Sequence, residues 1–231
     1  MKMFRKSFCL ALIVAPTIAC SSGEPRTAYA ESKSSEKGWI GQQSTRSPVS
    51  QSGVAFVLAT EGSGARYRVR ERLMGNDLDN DAIGETKNVT GSIAFDSKGK
   101  VIPAASKFVL DAGTFVSDKD RRDGYVRGRL LDAKQYPSIV LVPTEVRGIT
   151  LPLRASGTRP FEMTADLTVR GVTRPTTWKG SAQFQDSRIT GSAATAFTFD
   201  DIQMPQPRVP VLLSVADTIR LEIDFTLLPQ K

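Results

Sequence analysis

Histidine is missing from this chain of 231 residues, and cysteine occurs only at Cys9 and Cys20. The first absence excludes zinc sites that need an imidazole, Ser-His and Cys-His nucleophilic pairs, and imidazole acid–base steps. Cys9 lies inside an N-terminal apolar run and Cys20 at its end, so the sequence beyond residue 20 has no thiol and can form no internal disulfide. Chemistry based on carboxylates alone or on lysine stays open, but most common hydrolase designs do not. The chain is expected not to be an enzyme and to carry neither a metal nor a cofactor. Long apolar runs are scarce as well. FCLALIVAPTIA, the N-terminal one, has twelve residues, too short to span a bilayer, and no other segment is long and apolar enough to cross one.

An excess of one charge is also less marked than it looks. The formal net charge is +7, but without Lys2, Arg5 and Lys6 the balance is 28 basic against 24 acidic residues. From Gly53 onward it is 24 against 21, with the two signs interleaved. A nucleic-acid-binding surface concentrates Lys and Arg on one face, so no nucleic-acid partner is expected.

What is present divides into three parts. Residues 1–20 read as an export signal, with a basic start, the apolar run and the junction Thr17-Ile18-Ala19-Cys20. Small residues ahead of a cysteine look like a bacterial lipobox, which would acylate Cys20 and anchor the protein to a membrane. The plainer alternative is an ordinary signal peptide with Cys20 incidental. The expected location is the cell envelope, at the periplasmic face of the outer membrane or the cell surface, with Ser21 in the position that favours outer-membrane sorting. Residues 21–52 hold nine serines among Gly, Gln, Glu, Lys and Pro and read as a flexible tether. As a random coil it would reach roughly 30 Å. Residues 53–231 fit one domain.

Within that domain the dominant signal is period-two alternation, the mark of half-buried strands. It predicts strands at Val54 to Thr60, Arg66 to Leu73, Thr86 to Phe95, Lys107 to Asp111 and Ile139 to Val146. Pro160 to Arg170, Thr173 to Gln185, Arg188 to Phe199 and Asp217 to Leu228 complete the set. Long antiparallel strands in this number close into a barrel of about eight strands, an all-β fold with one short helix. Arg66, Arg68, Arg70 and Arg72 share one face of their strand, where they read either as a basic patch or as a solvated exterior bridged to neighbouring carboxylates. Glu71, on the opposite face, is either at a rim or an inward carboxylate in need of a partner. Acids at alternate positions from Asp77 to Asp81 begin like a calcium loop. However, Ala82 replaces the required glycine and Asn88 the closing Glu, so a polar connection is the better account.

The helix is predicted from Ser117 to Leu131, with Ser117 as N-cap and Tyr125, Val126, Leu130 and Leu131 as its apolar stripe. Gly124 and Gly128 each weaken it by roughly 1 kcal/mol relative to Ala, which points to close packing against a neighbour. A helix lying across one mouth of the barrel fits this order of elements.

Two segments carry a family likeness. Arg121 to Pro137 reads RRDGYVRGRLLDAKQYP, and Leu167 to Trp178 reads LTVRGVTRPTTW. In that order they resemble the signature of the YceI-like family of bacterial polyisoprenoid-binding proteins, over about Val54 to Leu228. The resemblance implies a lipocalin-like antiparallel barrel sheltering a long apolar chain without catalysis. Arg170 departs from the family, since many relatives carry His there.

Three consecutive strands give the inward faces Met163, Ala165, Leu167, Val169; Trp178, Gly180, Ala182, Phe184; and Ile189, Gly191, Ala193, Thr195, Phe197. The small belt of Gly180, Ala182, Gly191 and Ala193 leaves either an open cavity or room for a close neighbour. An eight-stranded barrel can be filled by side chains or hold one ligand, and the family resemblance favours the cavity. Tyr67, Val69, Phe108, Leu110, Ile219, Leu221, Ile223 and Phe225 complete the expected apolar lining, which distinguishes poorly among alkyl, prenyl and quinone tails. Arg121, Arg122 and Arg127 on the helix would either meet a phosphate head group or pair with Asp118, Asp120 and Asp123. The leading expectation is a lipid-anchored carrier of an isoprenoid-type lipid, a polyprenyl phosphate or a quinone. The alternative is an envelope scaffold with a filled barrel. Exposed strand edges leave room for a homodimer.

Overall fold

The computed structural model describes residues 53–75, 78–152, 156–186 and 188–230, so the leader, Cys20 and the tether lie outside the described residues. The alternating segments form strands β1 (Val54–Leu58), β2 (Gly64–Leu73), β3 (Asn80–Thr86), β4 (Val89–Phe95), β5 (Lys107–Asp111) and β6 (Val116–Ser117). After helix α1 (Asp120–Tyr125) come β7 (Ser138–Arg147), β8 (Ser156–Val169), β9 (Val172–Gln185), β10 (Arg188–Thr198) and β11 (Leu212–Pro229). Neighbouring strands are antiparallel, and β1 pairs with both β4 and β11, which closes the sheet into a barrel.

The eleven strands make eight staves. β1 and β2 lie end to end along β11, through Leu58↔Leu227 and Asp224↔Gly64. β4 and β3 follow on their far side, and β5 and β6 follow those. Three staves are therefore broken in the middle. The break between β3 and β4 falls at Lys87 and Asn88, where the Thr86 hydroxyl accepts a bond from the Asn88 amide at 3.1 Å. The expectation of one strand starting at Thr86, with a polar connection before it, is corrected here. Asp81 lies on β3 because its carboxylate answers the arginine row of β2, taking Arg68 at 3.1 Å and Arg70 at 3.3 Å. Arg66 pairs with Glu222 and, at 2.7 Å, with Asp224 on β11. The arginine row is thus a bridged sheet exterior.

β8 and β9 face each other residue for residue from Ser156↔Gln185 to Val169↔Val172. Their turn is Arg170-Gly171, both with positive φ (49° and 77°), the backbone that a two-residue hairpin needs. Above Gly171 lies the Tyr136 ring, whose edge would stand 3.3 Å from an added Cβ. The two signature segments therefore meet at one end of the barrel.

The helix is shorter than expected. After α1 the chain widens into a π-helical turn, Val126–Leu130, closed by the Leu131 amide on the Val126 carbonyl at 2.8 Å. Ser117 does not cap it. The buried Asp123 carboxylate reaches back instead and accepts from the Ser117 amide at 2.8 Å and its hydroxyl at 2.6 Å. Gly124 and Gly128 do not mediate close packing either, because a Cβ at either would meet nothing within 4 Å. They lie on the solvent side, while Val126, Leu130 and Leu131 turn into the core.

Candidate ligand-binding cavity

Where β6 leaves β7, the helix segment fills the gap and roofs a cavity of about 670 Å³. The walls are apolar: Tyr67, Val69 and Leu73 from β2, Phe197 from β10, Ile219 and Leu221 from β11. Tyr125, Val126, Leu130 and Leu131 close it from above. The Tyr67 ring packs on Gly84, where a Cβ would stand 2.3 Å from it, and meets Phe115 at 5.8 Å between centroids. Burial pushes the Tyr67 phenol up to about 12.

Charge is confined to the mouth. Glu71 points inward at 8% exposure and accepts from the Arg122 guanidinium at 2.6 Å and from Asn80 Nδ2 at 3.4 Å. Arg122 also pairs with Asp118, one turn earlier. Burial would lower the Arg122 pKa, but Glu71 and Asp118 overcome it and hold it raised. Burial likewise works to raise Asp118, and Arg122 holds that carboxyl below its ordinary range. Lys119 and Arg121 border the same mouth, whereas Arg127 borders neither this cavity nor the smaller one at the other end. Of the three arginines singled out, one is engaged, one faces the opening and one is elsewhere.

A second, smaller cavity of about 80 Å³ lies at the other end. Phe108, Leu110, Met163, Ala182, Ile223 and Phe225 line it, and Phe161 and Phe225 meet edge to face at 5.9 Å. Leu167, Trp178 and Ala193 are buried but border neither cavity, and the same holds for Phe184, which sits in the apolar cluster at the narrow end with Phe56 and Ile93. The Gly/Ala belt does not open the middle of the barrel. A Cβ on Gly180 would stand 2.2 Å from the Ser192 carbonyl, and one on Gly191 2.2 Å from that of Ser181 and 2.6 Å from the Phe225 ring. The glycines let β9 and β10 press together and give Phe225 a seat.

Sequence reasoning overlooked part of the lining. Ile202, Met204, Pro207 and Val209 come from the connection before β11, and Phe115 from the turn before β6. Apolar residues at alternate positions among the prolines of that connection were the available signal. Among the described residues no three His, Cys, Asp or Glu side chains are grouped so as to hold a metal ion. The geometry suits enclosure of an apolar molecule with a polar end at the mouth.

Comparison with known proteins agrees with this architecture. A UPF0312 protein of Pseudomonas putida is 28% identical over 157 residues, covering 64% of this chain and 74% of the relative. A polyisoprenoid binding domain from Saccharophagus degradans, implicated in plant cell wall breakdown, superposes with a TM-score of 0.59 at 13% identity, over 76% of this chain and 98% of that one. BcnA of Burkholderia cenocepacia gives 0.53 at 15% identity, over 73% and 98%. These two share the fold. The YceI-like domain model matches residues 56–227, from the first stave to the last, and the chain belongs to the YceI-like family.

Proposed function

We propose that this protein holds an isoprenoid-type lipid, a polyprenyl phosphate or a quinone, in the cavity under its helix, as a carrier or sequestering protein of the cell envelope. The observation that carries the reading is the apolar chamber of about 670 Å³ with charge only at its mouth. That size falls within the range of small-molecule sites, roughly 300–1,000 Å³. The Saccharophagus domain of the same fold is described as binding polyisoprenoids, which supports the ligand class. A chain inside the chamber gains about 0.8 kcal/mol per buried methylene, and a head group would face Lys119 and Arg121. Arg122 is already matched by Glu71 and Asp118 and has less to offer an anion.

Native mass spectrometry of the purified protein is the test. An adduct that organic solvent removes is expected, and Val69→Phe, which narrows the chamber, should weaken its retention while the barrel stays folded. A protein that never carries or takes up such an adduct would support the filled scaffold instead. Envelope anchoring is a separate part of the proposal, supported by the Thr17–Cys20 junction. Cys20→Ala should move the protein from membrane to soluble fractions, because stable retention takes two or more acyl chains. Unchanged membrane retention would remove the anchor.

A further inference from the structure

The two cavities share no lining residue, and what lies between them is as informative as either. On β11 the lining passes from Leu221 in the large chamber to Ile223 in the small one. On β8 it jumps from Val169 to Met163, leaving out Leu167 and Ala165. On β9 Trp178 is likewise left out. Trp178 and Leu167 are each 1% exposed and are among the largest fully buried side chains of the described residues. Ala65, Ala165 and Ala193 belong to the same buried cluster, so small residues leave these two the space at the waist.

The indole is also fixed. Its Nε1 donates to the Thr176 hydroxyl at 2.9 Å, and that hydroxyl donates to the Ala165 carbonyl at 2.9 Å, tying the ring edge to the backbone of β8. A side chain held this way is a wall rather than a swinging gate.

We propose that Trp178 and Leu167 form a floor that confines the ligand's chain to the helix-side chamber and sets the longest chain the barrel encloses. This rests on the lipid-binding reading above and adds a length limit to it. On β2 the chamber's wall runs from Tyr67 to Leu73, which at about 3.3 Å per residue and a strand tilt near 40° makes it roughly 15 Å deep. Prenyl units beyond that depth stay outside, in water or in a membrane, and add nothing to affinity.

The experiment uses the full chain with Trp39→Phe, which leaves Trp178 as the only indole of the two in the sequence. Geraniol, farnesol, geranylgeraniol and solanesol compete against a dansyl-labelled farnesol. Affinity should rise about tenfold or more for each enclosed prenyl unit and then stop rising. Leu167→Ala and Trp178→Leu should move that break to a longer prenol. Should Trp178→Leu fail to fold, farnesol brominated at its terminal isopropylidene carbons provides the check on an intact floor, because its far end should quench Trp178 emission. Affinity that keeps rising through solanesol in the parent overturns the floor and leaves lipid binding standing. A break that Leu167→Ala does not move, or a bound bromofarnesol that does not quench, overturns the assignment of these two residues. Failure of every prenol to bind overturns the floor together with the lipid reading.

Discussion

Glu71 is the residue on which the mouth of the chamber turns. An inward carboxylate on an otherwise apolar strand face is costly unless it is paired, and Arg122 answers it from the helix at 2.6 Å. The pair joins β2 to α1. Glu71→Ala leaves Arg122 with Asp118 alone, and should cost about 2–3 kcal/mol in urea unfolding, less than the roughly 3–5 kcal/mol of a fully stranded buried charge because one partner remains. The double variant with Arg122→Met should be less damaged than the sum of the two single changes, since neither charge is then stranded. Tyr67, two turns of the pleat away, reports burial through its proton. Its phenol is raised from 10.0 to about 12, so the protonated form is the one the fold favours. Its contribution to stability is fully present below pH 10 and is lost as pH rises through about 12. Absorbance titration should show one late-ionising tyrosine coincident with alkaline unfolding, and Tyr67→Phe should remove that phase. Glu71 stood out in the sequence as an anomaly on its strand face, but its partner did not. Arg122 lies fifty-one positions away on another element, and only the folded chain brings them together.

At the scale of elements, the glycines separate what a pattern can show from what it cannot. Gly124 in the helix and Gly191 in β10 are both flexible small residues in a regular segment, and sequence reasoning gave the first a close-packing role and the second a place beside an open cavity. The structure reverses both assignments: Gly124 faces solvent with nothing within 4 Å, while Gly191 is pressed between the Ser181 carbonyl and the Phe225 ring. Gly124→Ala should therefore stabilise the domain by about 0.5–1 kcal/mol, through helix propensity and a less free unfolded chain. Gly191→Ala should destabilise it by roughly 1–3 kcal/mol, since the added methyl would have to displace backbone. For a domain of this size each 1 kcal/mol moves the melting midpoint by about 2–4 °C, so differential scanning calorimetry should see opposite shifts. The inward faces of β8, β9 and β10 were legible because period two carries them without ambiguity, as the pairs Met163↔Trp178, Ala182↔Gly191 and Ala193↔Gly180 show. The breaks in three staves were not legible. β3 in particular reads as a turn because outward positions such as Asp81 are polar for the sake of the arginines on β2.

At the scale of the whole molecule, strand pairing is distributed unevenly, and the helix segment over the chamber follows the most sparsely paired strand, β6. β8 and β9 pair along their full lengths and β10 and β11 from Ile189↔Leu227 to Thr198↔Thr218, giving one half of the barrel a continuous ladder. The other half is made of broken staves, with only Gly84↔Ser117 and Glu85↔Val116 holding β6 to β3, while β1 and β2 together close the seam to β11. The helix segment roofs the chamber from this weaker half, held by the Glu71–Arg122 pair and by Tyr125, Val126, Leu130 and Leu131 above the opening. A barrel that must admit a long chain needs such a side, because a ladder complete all round has no element that can lift. Ligand bound only by the folded form stabilises it in proportion to the logarithm of its concentration over Kd. If the ligand lies under the helix segment as proposed, that stabilisation should appear first in the roof. Hydrogen exchange of lipid-loaded against solvent-extracted protein should show the largest gain in protection over Asp120–Tyr125 and Val126–Leu130, and little change along β8 and β9. Protection rising equally in both halves would mean that the chamber is entered only by global unfolding, and the roof would then be structure alone.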